Sequence, residues 1–268
     1  YQESWKGRTV RVVVKVGTST LAHAQTGRIN IRRMENLCKV LSDIKNAGHD
    51  VILVSSGAIG MGMGKLGLNE KPTLLSEKQA AASVGQCELM YTYDKLFGEY
   101  NHTVGQILVT GADIQNEDRR INFMNTIEKL LEMKALPVIN ENDTIATDEI
   151  VIGDNDTLGA VVSKTIHSNL YIILSDIEGL YTCDPHSNPD AKLIHEVTEI
   201  DDSIFALAGG SSTKVGTGGM VTKLEAARIV TEAGCDMIIA NGKNPNILYD
   251  IIEGKSVGTR FIGKRGVI

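Results

Sequence analysis

Short runs of β-branched and aliphatic residues recur along this chain with helix-length segments between them, and no polar residue alternates through the runs. Arg11-Val12-Val13-Val14-Lys15-Val16, Val51-Ile52-Leu53-Val54, Val104 to Thr110, Leu136 to Ile139, Leu170-Tyr171-Ile172-Ile173-Leu174 and Met237-Ile238-Ile239-Ala240 each read as a strand buried on both faces. Between them, residues 31–47 put Ile31, Met34, Leu37, Cys38, Leu41 and Ile44 on one helical face before Gly48. Residues 76–97 and 116–134 also read as helices, and further helices begin near Asp156 and carry Lys223. Buried strands alternating with helices specify an α/β fold, an open parallel sheet covered on both faces. Ligands of such sheets bind at the carboxyl ends of the strands. Polar residues collect at those ends: Lys15, Ser55, Ser56, Asn140, Asp143, Ser175 and Asp176. A glycine-rich stretch follows Ser55 as far as Gly67. Thr144 to Gly153 alternates weakly, as a hairpin would. The proline-rich loop 180–190 divides an N-terminal from a C-terminal half without a flexible linker.

Gly218-Gly219-Met220-Val221-Thr222-Lys223 has the layout of an anion cradle. Glycine lets backbone N–H groups approach phosphate oxygens, the helix start adds unpaired donors, and Lys223 adds a full charge. It is not a P-loop, because no Gly-Lys-Ser/Thr closes it. A lysine in the first turn of a helix is also at home in solvent, so this segment alone leaves both readings open. Lys15 is different, because a buried strand rarely carries a lysine unless the amine has a partner. Two lysines and glycine-rich turns, with dispersed histidines, suggest phosphoryl transfer by positioning and charge. Gly153-Asp154-Asn155-Asp156 fits a helix cap, or carboxylates that orient lysines or a metal. Asn140-Glu141-Asn142-Asp143 has the same two readings. Gly62-Met63-Gly64-Lys65-Leu66-Gly67 matches G-x-G-x-x-G but begins too far after Val54, and no acid closes a second strand about 20 residues on, so it reads as a decoy. Arg119 and Arg120 read as a solvated helix end. The small, polar run Gly209 to Thr217 is expected to be mobile without nucleotide.

Composition narrows the partners. A net charge of −6 with a pI near 5.6 argues against nucleic acid, so an anionic substrate must be met by local cations. Cys38, Cys87, Cys183 and Cys235 form no C-x-x-C, which fits a reduced cytoplasm. No apolar run approaches the ~20 residues of a membrane span, and the N-terminus has no signal-peptide core. Tyr1 in place of Met implies a trimmed or partly ordered N-terminus.

VVVKVGTS, VSSGAIG, PVINENDTIAT, GDND, LSDIEGLYTCDP and GTGGMVTKLEAA, in this order over about residues 10–260, resemble the glutamate 5-kinase family of the amino acid kinase superfamily. The combination of GDND, NEND and TGGMVTK is what favours free glutamate over the acetylglutamate, aspartate, carbamate or UMP kinases, and two lysines argue against a nucleotide sensor without turnover. The resemblance implies a three-layer αβα sandwich around a mainly parallel open sheet of about eight strands, a single domain over 1–268. About 1–168 would bind L-glutamate and about 169–268 ATP. It implies that Lys15 and Lys223 contact the transferring phosphoryl group and that Asp156 holds them. Ser56, Asp143 and Asn155 would bind glutamate. Ser175, Asp176 and the segment Thr217, Gly218, Gly219, Met220, Val221, Thr222, Lys223 would touch the nucleotide, and Gly17 and Gly57 would offer backbone donors. Mg²⁺ would be bound mainly through ATP, with no metal ligand assigned to the protein. It further implies a homo-dimer or tetramer, feedback inhibition by L-proline through residues around 60–75 and 115–160, and a link to glutamyl phosphate reductase. Many members carry a C-terminal PUA domain. This chain resembles the short form, or a piece cut before that domain or out of a kinase–reductase fusion.

Overall fold

Val12, Val13, Val14 and Val16 are buried on both faces of a strand at the middle of a sheet. The computed structural model describes residues 7–23, 26–146, 155–208 and 219–265. In chain order its elements are β1 (Arg11–Val16), α1 (Thr18–Leu21), α2 (Ile31–Asn46), β2 (Asp50–Ser55), α3 (Ala58–Leu66), α4 (Leu75–Gly98), β3 (Val104–Val109), α5 (Gly111–Gln115), α6 (Glu117–Glu132) and β4 (Leu136–Glu141). There follow α7 (Asn155–Thr165), β5 (Leu170–Ser175), β6 (Glu196–Val197), α8 (Asp202–Ala208), α9 (Met220–Glu232), β7 (Asp236–Asn241), α10 (Ile247–Ile252) and β8 (Thr259–Phe261).

The described residues contribute eight strands in the order β3-β4-β2-β1-β5-β7-β8-β6. Neighbours from β3 to β7 pair in parallel; β8 runs antiparallel to β7 and carries β6 alongside. Helices α2, α4 and α10 pack on one face, through Met34, Leu37, Leu41, Leu89, Tyr93, Phe97, Leu248 and Ile251. Helices α6, α7 and α9 pack on the other, through Phe123, Ile127, Leu158, Val162, Leu224 and Val230. The fold is therefore the expected αβα sandwich. From β1 the chain goes to β2 on one side, and β5 later fills the other side, so the strand order turns at β1. That is where a crevice opens in such sheets.

Local signals agree with the elements. Asn30 accepts from Arg33 N to cap α2, and Asn116 accepts from Arg119 N to cap α6. Thr110 ends the third strand because it caps α5 in a box with Asp113. Two readings of the sequence change. The glycine-rich stretch after Gly57 is helix α3, and Gly62 within it serves packing. A Cβ on Gly62 would lie 1.7 Å from the Ala81 carbonyl oxygen, and one on Gly85 would lie 1.6 Å from that of Ala58, so α3 and α4 touch backbone to backbone. Residues 143–145 form a turn, and the rest of the hairpin expected to Gly153 lies outside the described residues. Loop 180–190 folds back, with Tyr181 bridging Leu193, and Thr259 ties it to the edge by accepting from Leu180 N and donating to Ile194 O.

Candidate active site

Lys15 leaves the carboxyl end of β1 with only 8% of its surface exposed. Its Nζ lies 2.6 Å from Asp156 Oδ1, and Lys223 Nζ lies 3.0 Å from Asp156 Oδ2. Each carboxylate oxygen thus holds one ammonium. Asp156 is delivered by the first turn of α7 and Lys223 by the first turn of α9. The Asp156 carboxylate is wholly buried, and its backbone is fixed from below, where Tyr171 OH donates to Asp156 O at 2.8 Å. Burial pushes the Asp156 carboxyl up, but the two lysine charges and their hydrogen bonds outweigh it and hold the group below the ordinary aspartate value. It is therefore ionised at neutral pH. Counted among the described residues, two ammonium groups face this one carboxylate in a poorly solvated place, where charges act on a ligand more strongly than at an exposed lysine.

The surroundings suit an anionic ligand. Gly17 follows β1, and a Cβ there would stand 3.6 Å from Lys15 Nζ, so the amine lies directly over bare backbone. Gly57 caps α3 with φ 108°, a left-handed conformation natural to glycine, and offers no side chain to the first-turn N–H groups. Gly219 caps α9 likewise without a side-chain acceptor, while Thr222 Oγ1 donates to Gly219 O at 2.8 Å.

Beside the lysines, Asn155 Nδ2 donates to Ser56 Oγ at 2.6 Å and to Asn140 Oδ1 at 2.9 Å, joining α7, the end of β2 and β4. Asp143 lies in the turn after β4, and burial raises its carboxyl to about 6. Ser175, at the end of β5, donates to Asp176 Oδ1 at 3.2 Å. Among the residues singled out in the sequence, Lys15, Asp156 and Lys223 thus meet directly, as do Ser56 and Asn155. Ser175 and Asp176 end the strand next to β1. Met220, Val221 and Thr222 form the start of α9, whereas Gly153, Asp154, the run Gly209 to Thr217 and Gly218 lie outside the described residues. Arg119 is paired with Asp113 at 2.7 Å and mostly exposed. Gly62 to Gly67 belongs to helix α3 and its C-terminal cap. Sequence reasoning did not single out Tyr171, although a tyrosine inside a buried strand needs a partner for its hydroxyl. Among the described residues no group of three or more His, Cys, Asp or Glu could hold a metal ion, and Asp156 is already taken by two lysines. No helix among the described residues is long and apolar enough to cross a membrane.

The parallel sheet turns at β1 and carries two lysines on one buried carboxylate at its carboxyl edge, and the chain belongs to the amino acid kinase family: the family model described as "Amino acid kinase family" matches residues 10–241. The fold agrees with that of "Carbamate kinase from Giardia lamblia bound to AMP-PNP", with a TM-score of 0.67 at 17% identity over 95% of this chain and 99% of that one. Within the family the similarity is to glutamate 5-kinases. The chain is 52% identical over 260 residues to "Glutamate 5-kinase" of Clostridium perfringens, covering 96% of both. It is 54% identical over 250 residues to "Glutamate 5-kinase" of Clostridium tetani, covering 93% of both.

Proposed function

We infer that this protein transfers the γ-phosphoryl group of ATP to the γ-carboxylate of L-glutamate, giving γ-glutamyl phosphate, the first step of proline biosynthesis. Identity above half to glutamate 5-kinases over nearly the whole chain supports the substrate. The observation that carries the mechanism is the pair of buried lysines on Asp156.

The acceptor is a carboxylate with an ordinary pKa near ~4.3, ionised at neutral pH, so no general base is needed. Its oxygen attacks the γ-phosphorus, a new O–P bond forms, and the bond to the bridging oxygen breaks with its electron pair leaving on ADP. The obstacle is one anion approaching another. Two unit charges about 4 Å apart repel by ~4 kcal/mol at an effective dielectric of 20. Lys15 and Lys223 offset this and follow the charge onto the phosphoryl oxygens as it develops. Asp156 spaces and aims them without taking a proton. Mg²⁺ belongs to the nucleotide's phosphates in this reading, and the protein steps do not run through it.

Ser56, Asp143 and Asn155 bind glutamate, a carboxylate and an amide oxygen suiting its ammonium group and a hydroxyl its carboxylate. Ser175, Asp176 and the segment Thr217 to Lys223 take the nucleotide, with backbone donors from Gly17 and Gly57. The part up to about residue 168 is accordingly the glutamate half and the remainder the ATP half. We also carry forward a homo-oligomer, inhibition by L-proline, hand-over of the reactive acyl phosphate to glutamyl phosphate reductase, and a cytoplasmic location, which four free cysteines support.

The test is a hydroxylamine-trapping assay with ATP and Mg²⁺ and, in parallel, L-glutamate, N-acetyl-L-glutamate and L-aspartate. Hydroxamate from glutamate alone is expected. Product from another acceptor instead would overturn the substrate, and no product from any of them would overturn the activity.

A further inference from the structure

A line of side-chain amides runs from the sheet edge through helix α4 into the site. Gln106 Oε1 on β3 accepts from Gln86 Nε2 at 3.0 Å, and Gln86 Oε1 on α4 accepts from Asn140 Nδ2 at 2.9 Å. Asn140 Oδ1 then accepts from both Asn155 Nδ2, at 2.9 Å, and the backbone N–H of Glu141, at 2.8 Å. Gln86, Asn140 and Asn155 are 9%, 2% and 8% exposed, so each amide depends on protein partners.

The sense of the whole line follows from one group. A backbone N–H can only donate, so the Glu141 N–H requires an oxygen from Asn140. The Asn140 NH₂ must then face Gln86, which has to answer with its oxygen. On the other side Asn140 Oδ1 calls for the NH₂ of Asn155. Both hydrogens of that NH₂ are used, on Asn140 and on Ser56. What Asn155 has left is its carbonyl oxygen, which no donor among the described residues reaches. Ser56 Oγ, already an acceptor, keeps its hydroxyl hydrogen to give. The site therefore offers a ligand one acceptor and one donor in fixed places.

We propose that Gln86, which touches none of the proposed ligand-binding side chains, is a positioning residue: it satisfies the buried Asn140 NH₂ and so holds the Asn155 oxygen and the Ser56 hydroxyl in the sense that a glutamate ligand requires. This rests on the reading of the acceptor as glutamate. Without an acceptor at position 86, the Asn140 NH₂ is a buried donor with no partner, and its amide turns to find one, releasing Asn155. Phosphoryl transfer itself is untouched, because the lysines and Asp156 are held separately.

Steady-state kinetics on wild type, Gln86→Met, Gln86→Ala and Gln86→Glu test this. Methionine fills the volume without an acceptor, and alanine cannot reach Asn140. Both are expected to raise the glutamate KM about tenfold, the size of one lost buried hydrogen bond, with the ATP KM unchanged. Gln86→Glu keeps an acceptor in either protonation state, and the exposed Gln106 can turn its own NH₂ toward it, so this variant is expected to recover most of the affinity. An unchanged glutamate KM in both Gln86→Met and Gln86→Ala overturns the proposal. So does a parallel rise in both KM values, which marks general loosening, or a Gln86→Glu variant as impaired as Gln86→Met. If wild type itself makes no hydroxamate from glutamate, the functional reading fails first, whatever the variants do.

Discussion

Lys15 and Lys223 are held on opposite oxygens of one buried carboxylate, so each ammonium is already placed before any ligand arrives. A group pre-placed for charge that develops during transfer should affect the rate more than ground-state binding. Lys15→Ala and Lys223→Ala are each expected to lower kcat by about 10²–10³ with little change in the glutamate KM; a near-normal kcat would remove them from the reaction. Asp143 makes a pH prediction. Its carboxyl is raised to about 6 by burial, so it becomes neutral below that and would lose the pull on the glutamate ammonium proposed for it. The glutamate KM is expected to climb as the pH falls through about 6, and to do so less steeply in Asp143→Asn. The linkage has the matching sign. With the folded value above the unfolded one, the stabilising contribution is present below about 3.8 and lost as pH rises through about 6. Asp143→Asn should therefore raise Tm at pH 8 and leave it unchanged near pH 3; an equal shift at both would contradict this. Lys15 was legible because a lysine inside a valine run must find a partner. Gly153-Asp154-Asn155-Asp156 alone could not separate capping from lysine orientation, since both use a carboxylate at a helix start. What distinguishes them is a second lysine from far along the chain, and spacing within one motif carries no such information.

At the level of elements, the contact between α3 and α4 is made by missing side chains. A methyl group on Gly62 or Gly85 would overlap the facing backbone, and backbone cannot step aside as a flexible side chain can. Gly62→Ala and Gly85→Ala are each expected to destabilise the fold by about 3 kcal/mol, the upper part of the range for overpacking. Urea denaturation reads this directly, and a loss below about 0.5 kcal/mol, the size of an ordinary surface change, would mean that the helices separate easily. Because β2 leads into Gly57 and α3, the same seam sets the position of Ser56 relative to α4. Strands and long helices were legible because burial leaves a strong period in sequence. Helix α3 was not, since glycines chosen for close approach look the same as glycines chosen for a turn. Strands β6 and β8 are too short to show any period, and Thr259 of β8 anchors the loop before β6 through Leu180 and Ile194.

Across the whole molecule, the proposed glutamate and ATP halves share one uninterrupted sheet. Strands β1 and β5 pair in register from Val12 with Leu170 to Val16 with Leu174, and Arg11 below them bonds Asp50, Glu128 and Ile166 O. No part of that seam can open without breaking a strand pair. Calorimetry is therefore expected to give a single unfolding transition, raised by ATP according to its affinity; two separate transitions would show that the halves are independent. The three charged groups of the site come from β1, α7 and α9, so its integrity reports on the entire chain. Asp156→Asn would leave two nearly buried ammonium groups facing each other, and a loss on the order of 3 kcal/mol or more is expected.

The place of β1 in the sheet also has a history during synthesis. This strand is synthesised shortly before β2 and can pair with it early, yet the partner for its other edge, β5, begins only at Leu170. At about 5–20 residues per second, that edge stays open for roughly 8–30 seconds. It is an apolar strand edge, with a lysine whose counter-charge at Asp156 has not yet been made. Nascent chains are thus most exposed to wrong pairing with one another in the interval before the second half arrives.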